Sequence, residues 1–101
     1  MKIKQIQELA RVFKALSDPN RLAILQLLRE RCGVGCRVPA EAERNTVSEI
    51  AEEFHLSLST VSHHLKELRN AGLIHCEKRG QWIFCAPNDD MMRSIRDFSE
   101  R

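Results

Sequence analysis

No apolar run in this 101-residue chain approaches the roughly 20 residues that cross a bilayer, which leaves out a transmembrane helix. The opening MKIKQIQELARVF has two lysines but then polar residues where a secretory signal needs an unbroken apolar core. A cytoplasmic location is therefore expected. Four cysteines in that compartment are expected to be mostly reduced and not to form a secreted disulfide frame. A glycine-rich phosphate loop, a nucleophile paired with an oriented base and the redox Cys-x-x-Cys spacing are all missing, so the chain is not read as an enzyme. It has no internal repeat and no low-complexity tract. The formal charge of +2 decides nothing by itself.

What is present fits one small folded domain: 43% of residues are apolar and 30% charged, against the composition of a disordered chain. A chain this short buries a modest share of its surface, so help from a partner chain is in keeping with its size. The charge is unevenly spread. Residues 1–31 hold seven basic and three acidic groups, residues 32–56 two and five, residues 57–87 four and two, and residues 88–101 three and four. Three of the four histidines fall in the second basic stretch, which permits a phosphate-facing surface there.

Along the chain, residues 3–16 place Ile6, Leu9, Ala10, Phe13 and Leu16 on one helical face. Asp18 suits the cap of a second helix and Pro19 its first position. Leu22, Ala23, Ile24, Leu25, Leu27 and Leu28 leave that helix little wet face, which predicts a place near the centre of the core; it should end before Cys32-Gly33. Residues 32–45, with two glycines, a proline and mixed charge, read as a loop. Thr46-Val47-Ser48-Glu49 is a capping box that opens a short helix through Phe54. His55-Leu56-Ser57 is a turn; Ser57 caps the next helix, and Leu56 packs toward Val61 as a hydrophobic staple. On that helix Leu58, Val61, Leu65 and Leu68 form the apolar stripe, and Gly72 stops it. Strand-favouring residues on either side of Arg79-Gly80 predict a β-hairpin, and a last helix after Pro87 carries Met91, Ile95 and Phe98.

This order, α-α-α-α-β-β-α, is mainly α with a small β-hairpin: a winged helix-turn-helix. The unit spans about residues 46–71, the wing about 73–86, and the terminal helices about 3–16 and 88–100. Ser57, Ser59, Thr60, Ser62, His63 and Lys66 lie at the start of the unit's second helix, the part that enters the major groove in such proteins. Short polar side chains let the backbone approach base edges and phosphates. With Lys78, Arg79 and Gln81 at the hairpin tip they form the candidate interface with double-stranded DNA; solvated caps are the plainer reading of any one of them. His64, beside the apolar stripe, is expected to bond within the domain, while His55 and His75 have no partner at metal-ligand spacing. Trp82 and Phe84 share a hairpin face and read as packing. Two apolar terminal helices in so short a chain call for cover, which a twofold homodimer supplies; the alternative is that both stripes serve the chain's own core.

The segments LARVFKALSDPNRLAILQLL, VSEIAEEFHLSLSTVSHHLKELRNAGLI and EKRGQWIF resemble the ArsR/SmtB family of winged-helix repressors. The resemblance covers most of the chain. It implies a homodimer built from the first and last helices that binds an imperfect inverted repeat near a promoter and leaves it when an inducer binds. It does not extend to the family's metal sites. Where the family's thiol site has its Cys-x-Cys pair in an LCVCDL setting, this chain has NTVSEI, with Thr46 and Ser48 in place of the thiolates. The last helix offers Asp89, Asp90, Asp97 and Glu100 but no histidine, against a zinc site there. The thiols left are Cys32 and Cys36 in the loop, and Cys76 and Cys85 on the hairpin, directly opposed if the turn is centred on Gly80-Gln81. Cys32 and Cys36 are the candidate site for arsenite, a thiophilic metal ion or an oxidant, with Cys76 and Cys85 as further ligands or as small buried hydrophobes. The function expected is a DNA-binding repressor released by a thiol-reactive inducer. The alternatives are a winged-helix protein-interaction module, or a regulator without small-molecule sensing.

Overall fold

The computed structural model describes residues 1–32 and 46–100, leaving aside the Cys32 side chain. Among the described residues seven elements follow in order: α1 (Ile3–Ala15), α2 (Pro19–Cys32), α3 (Val47–Phe54), α4 (Leu58–Asn70), β1 (Ile74–Arg79), β2 (Trp82–Pro87) and α5 (Asp89–Ser99). Residues 33–45, read from sequence as a loop, lie outside the described residues. Cys32 closes α2 rather than following it.

One apolar cluster joins the elements. Val12 and Ala15 from α1, Ile24, Leu25 and Leu28 from α2, Ile50 and Ala51 from α3, Val61, Leu65 and Leu68 from α4, and Leu73, Ile74 and Cys85 from the hairpin meet in it. Full burial of an aliphatic side chain of this size contributes about 1.5–3 kcal/mol, which makes this cluster the main source of stability.

The caps appear where the sequence puts them. Asp18 Oδ1 accepts the N–H groups of Asn20 at 2.8 Å and Arg21 at 3.2 Å. The Arg21 N–H, foremost, holds the Asp18 carboxyl below its ordinary 3.8; burial opposes this, and the Asn20 N–H and the Arg21 charge add to it. The folded pKa is lowered, so the cap's contribution is complete above the ordinary carboxylate range and is lost only as pH falls through the lowered value. Thr46 Oγ1 accepts the Glu49 N–H, and its own hydroxyl donates to the Glu49 carboxylate at 2.9 Å. The helix-turn-helix turn then depends on His55 at φ 54°, ψ 41°, a left-handed conformation that the side chain makes unfavourable and that closes α3.

Two expectations about helix faces need correction. On α1 the core side is Leu9, Val12 and Ala15, with Leu16 packed beside it, whereas Ile6 and Phe13 are 52% and 44% exposed and Ala10 is exposed. The sequence stripe merged two adjacent faces. Among the described side chains of α2, only Ile24, Leu25 and Leu28 are buried; Leu22 and Ala23 face outward, so this helix has a wet side despite its composition. Its leucines and alanine are distributed around the helix, and periodicity carries no direction there.

The hairpin is antiparallel in the register Arg79↔Trp82, Lys78↔Ile83, Glu77↔Phe84, Cys76↔Cys85, with Gly80 and Gln81 as the turn. Gly80 has φ 59° and Gln81 does not share the positive sign, the pattern of a type II′ turn, which asks for glycine first. Thr46 bridges to Phe84, tying the start of α3 to β2. Burial declines from the base of the hairpin to its tip on both strands. Asn88 then fastens α5: its side-chain oxygen caps Asp90 and Met91, its amide donates to Gly72 O at 2.8 Å, and its backbone N–H donates to Leu73 O at 2.9 Å.

Replacing Asn88 by alanine removes a cap and leaves Gly72 O without that donor. Asn88→Ala is expected to destabilise the fold by about 1–2 kcal/mol, read as a lower urea midpoint with an unchanged slope. A midpoint equal to the parent's contradicts the role given to this side chain.

Candidate nucleic-acid interface

The inner side of α4 is fixed by Val61, Leu65 and Leu68, all buried, and by His64, which is 7% exposed. His64 Nδ1 accepts from Arg21 Nε at 3.3 Å, while the Arg21 guanidinium also donates to Ala15 O at 3.3 Å. An accepting Nδ1 makes the imidazole in this bond neutral, with its proton on Nε2. The expectation that His64 bonds within the domain holds, and Arg21 links the end of α1 and the start of α2 to α4.

The outer side carries the residues singled out in sequence. Ser57, Ser59, Thr60, Ser62, His63 and Lys66 are all exposed. Ser57 Oγ accepts the Thr60 N–H at 3.2 Å, donates to Thr60 Oγ1 at 2.8 Å and lies 3.2 Å from Ser59 Oγ. Its hydroxyl is thus committed to the cap. Leu58 and Ser59 are the first residues of the helix, where backbone N–H groups lack an intrahelical acceptor and lie at the positive end of the helix dipole, an arrangement suited to a phosphate oxygen.

Leu58 departs from the sequence reading. It belongs by spacing to the apolar stripe, yet it is 56% exposed and stands among the hydroxyls. The stripe's first position lies beyond the edge of the core, a property of tertiary placement that spacing does not encode. At the hairpin tip Lys78, Arg79 and Gln81 are exposed, and Arg79 approaches Glu77 at 3.4 Å. Trp82, expected to pack, is 48% exposed; Phe84 is half-buried.

The remaining candidates divide. Cys76 and Cys85 are directly opposed with Sγ atoms 3.3 Å apart, as a turn centred on Gly80-Gln81 requires. Cys36 lies outside the described residues, and of Cys32 the structure gives the backbone at the end of α2. Among the described residues no three His, Cys, Asp or Glu side chains are grouped to hold a metal ion. No helix among the described residues is long and apolar enough to cross a membrane.

A short helix, a capped turn, a helix with a polar outer face and a two-stranded wing define the winged helix-turn-helix class. Comparison with known proteins agrees. A family model described as a helix-turn-helix domain matches residues 16–77. The transcriptional repressor SdpR of Bacillus subtilis is 35% identical over 82 residues, covering 81% of this chain and 78% of that one. A solved ArsR family transcriptional regulator is 30% identical with a TM-score of 0.72, covering 93% and 84% of the two chains. The homodimeric winged helix-turn-helix DNA-binding domain of a Mycobacterium bovis protein is 28% identical with a TM-score of 0.68, covering 93% and 77%. This chain belongs to the ArsR family of helix-turn-helix transcriptional regulators, a family of DNA-binding regulators and not of enzymes.

The split between cap and outer face has a measurable form. Ser57→Ala is expected to cost about 1 kcal/mol of stability in urea denaturation, and Ser62→Ala or Lys66→Ala to change it by less than about 0.5 kcal/mol. Equal losses at all three positions would mean that the outer face is structural.

Proposed function

We propose that this regulator is a cytoplasmic homodimeric repressor. It reads an inverted-repeat operator with the outer face of α4, grips the flanking backbone with Lys78, Arg79 and Gln81, and is released by a thiol-reactive inducer. The observation that carries the reading is the outer face of α4: the exposed hydroxyl, imidazole and ammonium side chains of Ser59, Thr60, Ser62, His63 and Lys66 on a helix whose opposite face is buried. A helix meant only for water more usually carries long helix-favouring residues. Serines and a threonine close to the backbone let the helix start come near base edges and phosphates, while Lys66 supplies charge. In the interaction-module alternative, exposed aromatic or aliphatic anchors would dominate this face; Leu58 is the one large apolar side chain on it.

The dimer is supported by the exposed apolar stripe Ile3, Ile6 and Phe13 on α1, continued by Phe98 on α5, whose ring centroid lies 5.7 Å from that of Phe13. The terminal helices meet within one chain and still leave apolar surface outward, which a twofold partner would cover. The similar Mycobacterium bovis domain is homodimeric. Support for the inducer comes from the chemistry of the four thiols, Cys32, Cys36, Cys76 and Cys85, as ligands or redox groups for arsenite, a soft metal ion or an oxidant.

Fluorescence anisotropy on a promoter fragment across a salt series tests the reading. Binding should be tighter than to random DNA and fall steeply with salt, and Lys66→Ala should lower the slope of log K against log salt by about 1. Affinity no better than for random DNA would sink the repressor reading. Phe13→Glu should give monomers in sedimentation velocity and weaken operator binding about a hundredfold, since two linked half-site contacts become one. A Phe13→Glu dimer of parental affinity excludes this interface.

A further inference from the structure

The two facing thiols of the wing stand among the four that support a thiol-reactive inducer, and their geometry gives them a step of their own. Cys76 and Cys85 are a register pair with their sulfurs 3.3 Å apart; Cys76 is half-buried and Cys85 fully buried at the base of the hairpin. Counting from the two-residue turn, Arg79 and Trp82 form a hydrogen-bonded rung, so alternation makes Cys76 and Cys85 a non-hydrogen-bonded one. In such a rung the Cα atoms stand about 4.5 Å apart and the side chains are at their closest. That lies inside the roughly 4.4–6.8 Å range a disulfide accepts, so a bond can form with little backbone movement. A soft metal ion would want a third ligand, and the described residues group none there.

We propose that Cys76 and Cys85 are an oxidation site, at which a hydroperoxide converts the facing thiols into a cross-strand disulfide that ties the base of the wing and weakens DNA binding. The Cys76 thiolate attacks one peroxide oxygen; an S–O bond forms, the O–O bond breaks, and the leaving alkoxide or hydroxide takes up a proton. Cys85 then attacks the sulfenic sulfur. The S–S bond forms, the S–O bond breaks, and the sulfenic hydroxyl leaves as water with the Cys85 proton. Two electrons pass from the sulfur pair to the peroxide, and a small thiol reverses the change by exchange.

The division of roles follows from the surroundings. The hydrogen bond from the Cys85 thiol lowers the Cys76 pKa from its ordinary 9.0; burial opposes this and the positive charge of Arg69 assists it. Cys85 is pushed upward because its proton is held by Cys76 and its site is buried. The more accessible sulfur is therefore the better nucleophile, and the buried one keeps a proton until the second step. The tip lies three rungs beyond the pair, about 10 Å at about 3.3 Å per residue. Drawing the sulfurs together to about 2.05 Å alters the twist at the base, and the tip moves by more than the base does.

The loss of DNA affinity rests on the operator-binding reading; the disulfide does not. The full chain carrying Cys32→Ser and Cys36→Ser, with only the wing pair left, is treated with hydrogen peroxide. Intact mass, free-thiol count and operator anisotropy are measured before and after dithiothreitol. The expected result is loss of two hydrogen atoms in mass, no free thiol, and operator binding about tenfold weaker that recovers on reduction. Adding Cys76→Ser should abolish both the mass loss and the affinity change. Retention of two thiols, or gain of oxygen without the bond, overturns the site and leaves the pair as inert packing. A disulfide with unchanged affinity overturns its effect on DNA. Failure of the reduced protein to bind the operator at all, with the disulfide still forming, counts against the repressor reading instead.

Discussion

Burial of Val61, Leu65 and Leu68 in the same cluster as Ile24, Leu28 and Ile50 decides which side of α4 looks outward. Every later step depends on it. A helix has only so much circumference, and once about 100° of it is committed to the core the side chains opposite must meet water or a partner. Ser62, His63 and Lys66 are outward because their neighbours are inward. Rotating α4 by one residue would bring Ser62 and Lys66 toward the core and cost far more than any one polar contact could return, since unpaired polar groups and lost apolar burial would add.

Local chemistry made much of this readable in advance. Asp18, Thr46 and Ser57 each stand just before a helix, and each caps the helix that follows; Asn88, which the sequence reading did not single out, does the same for α5. Such signals are written in a few adjacent residues, so one sequence suffices. The hairpin was legible too, but its register only conditionally: the strands were expected on either side of Arg79-Gly80, and Cys76 faces Cys85 because the turn is Gly80-Gln81. What was not legible depends on distant neighbours. Nothing local separates Leu9 and Val12, which face the core, from Ile6 and Phe13, which do not; all are apolar at helical spacing. Leu22, Leu58 and Trp82 were misplaced for the same reason. His55 is a further case: a non-glycine residue at positive φ has no reliable mark in sequence, and the turn imposes it.

The corrections change what the surface offers. Splitting the α1 stripe frees Ile3, Ile6 and Phe13 from the core, and their exposure is a stronger reason for a partner than a stripe shared with the interior would be. The exposed Leu58 adds an apolar group to a face otherwise made of hydroxyls, imidazole and ammonium, and apolar contact with a thymine methyl is part of major-groove reading. The interface proposed from polar residues alone is thereby broadened rather than withdrawn.

Arg21 connects these two surfaces. From α2 it reaches Ala15 O at the end of the helix proposed to form the dimer and His64 Nδ1 on the helix proposed to read DNA. Aliphatic contacts between helices tolerate small slides because dispersion has no direction. Paired hydrogen bonds from one planar guanidinium do not, since they weaken steeply as distance or angle departs from the optimum. In a twofold assembly the separation of the two α4 helices has to match half-sites one helical turn of DNA apart, about 34–36 Å. An error in the angle between α1 and α4 is doubled by the symmetry. A polar tie between them, half-buried where water competes less, is the kind of contact that holds such an angle; packing alone holds only the distance.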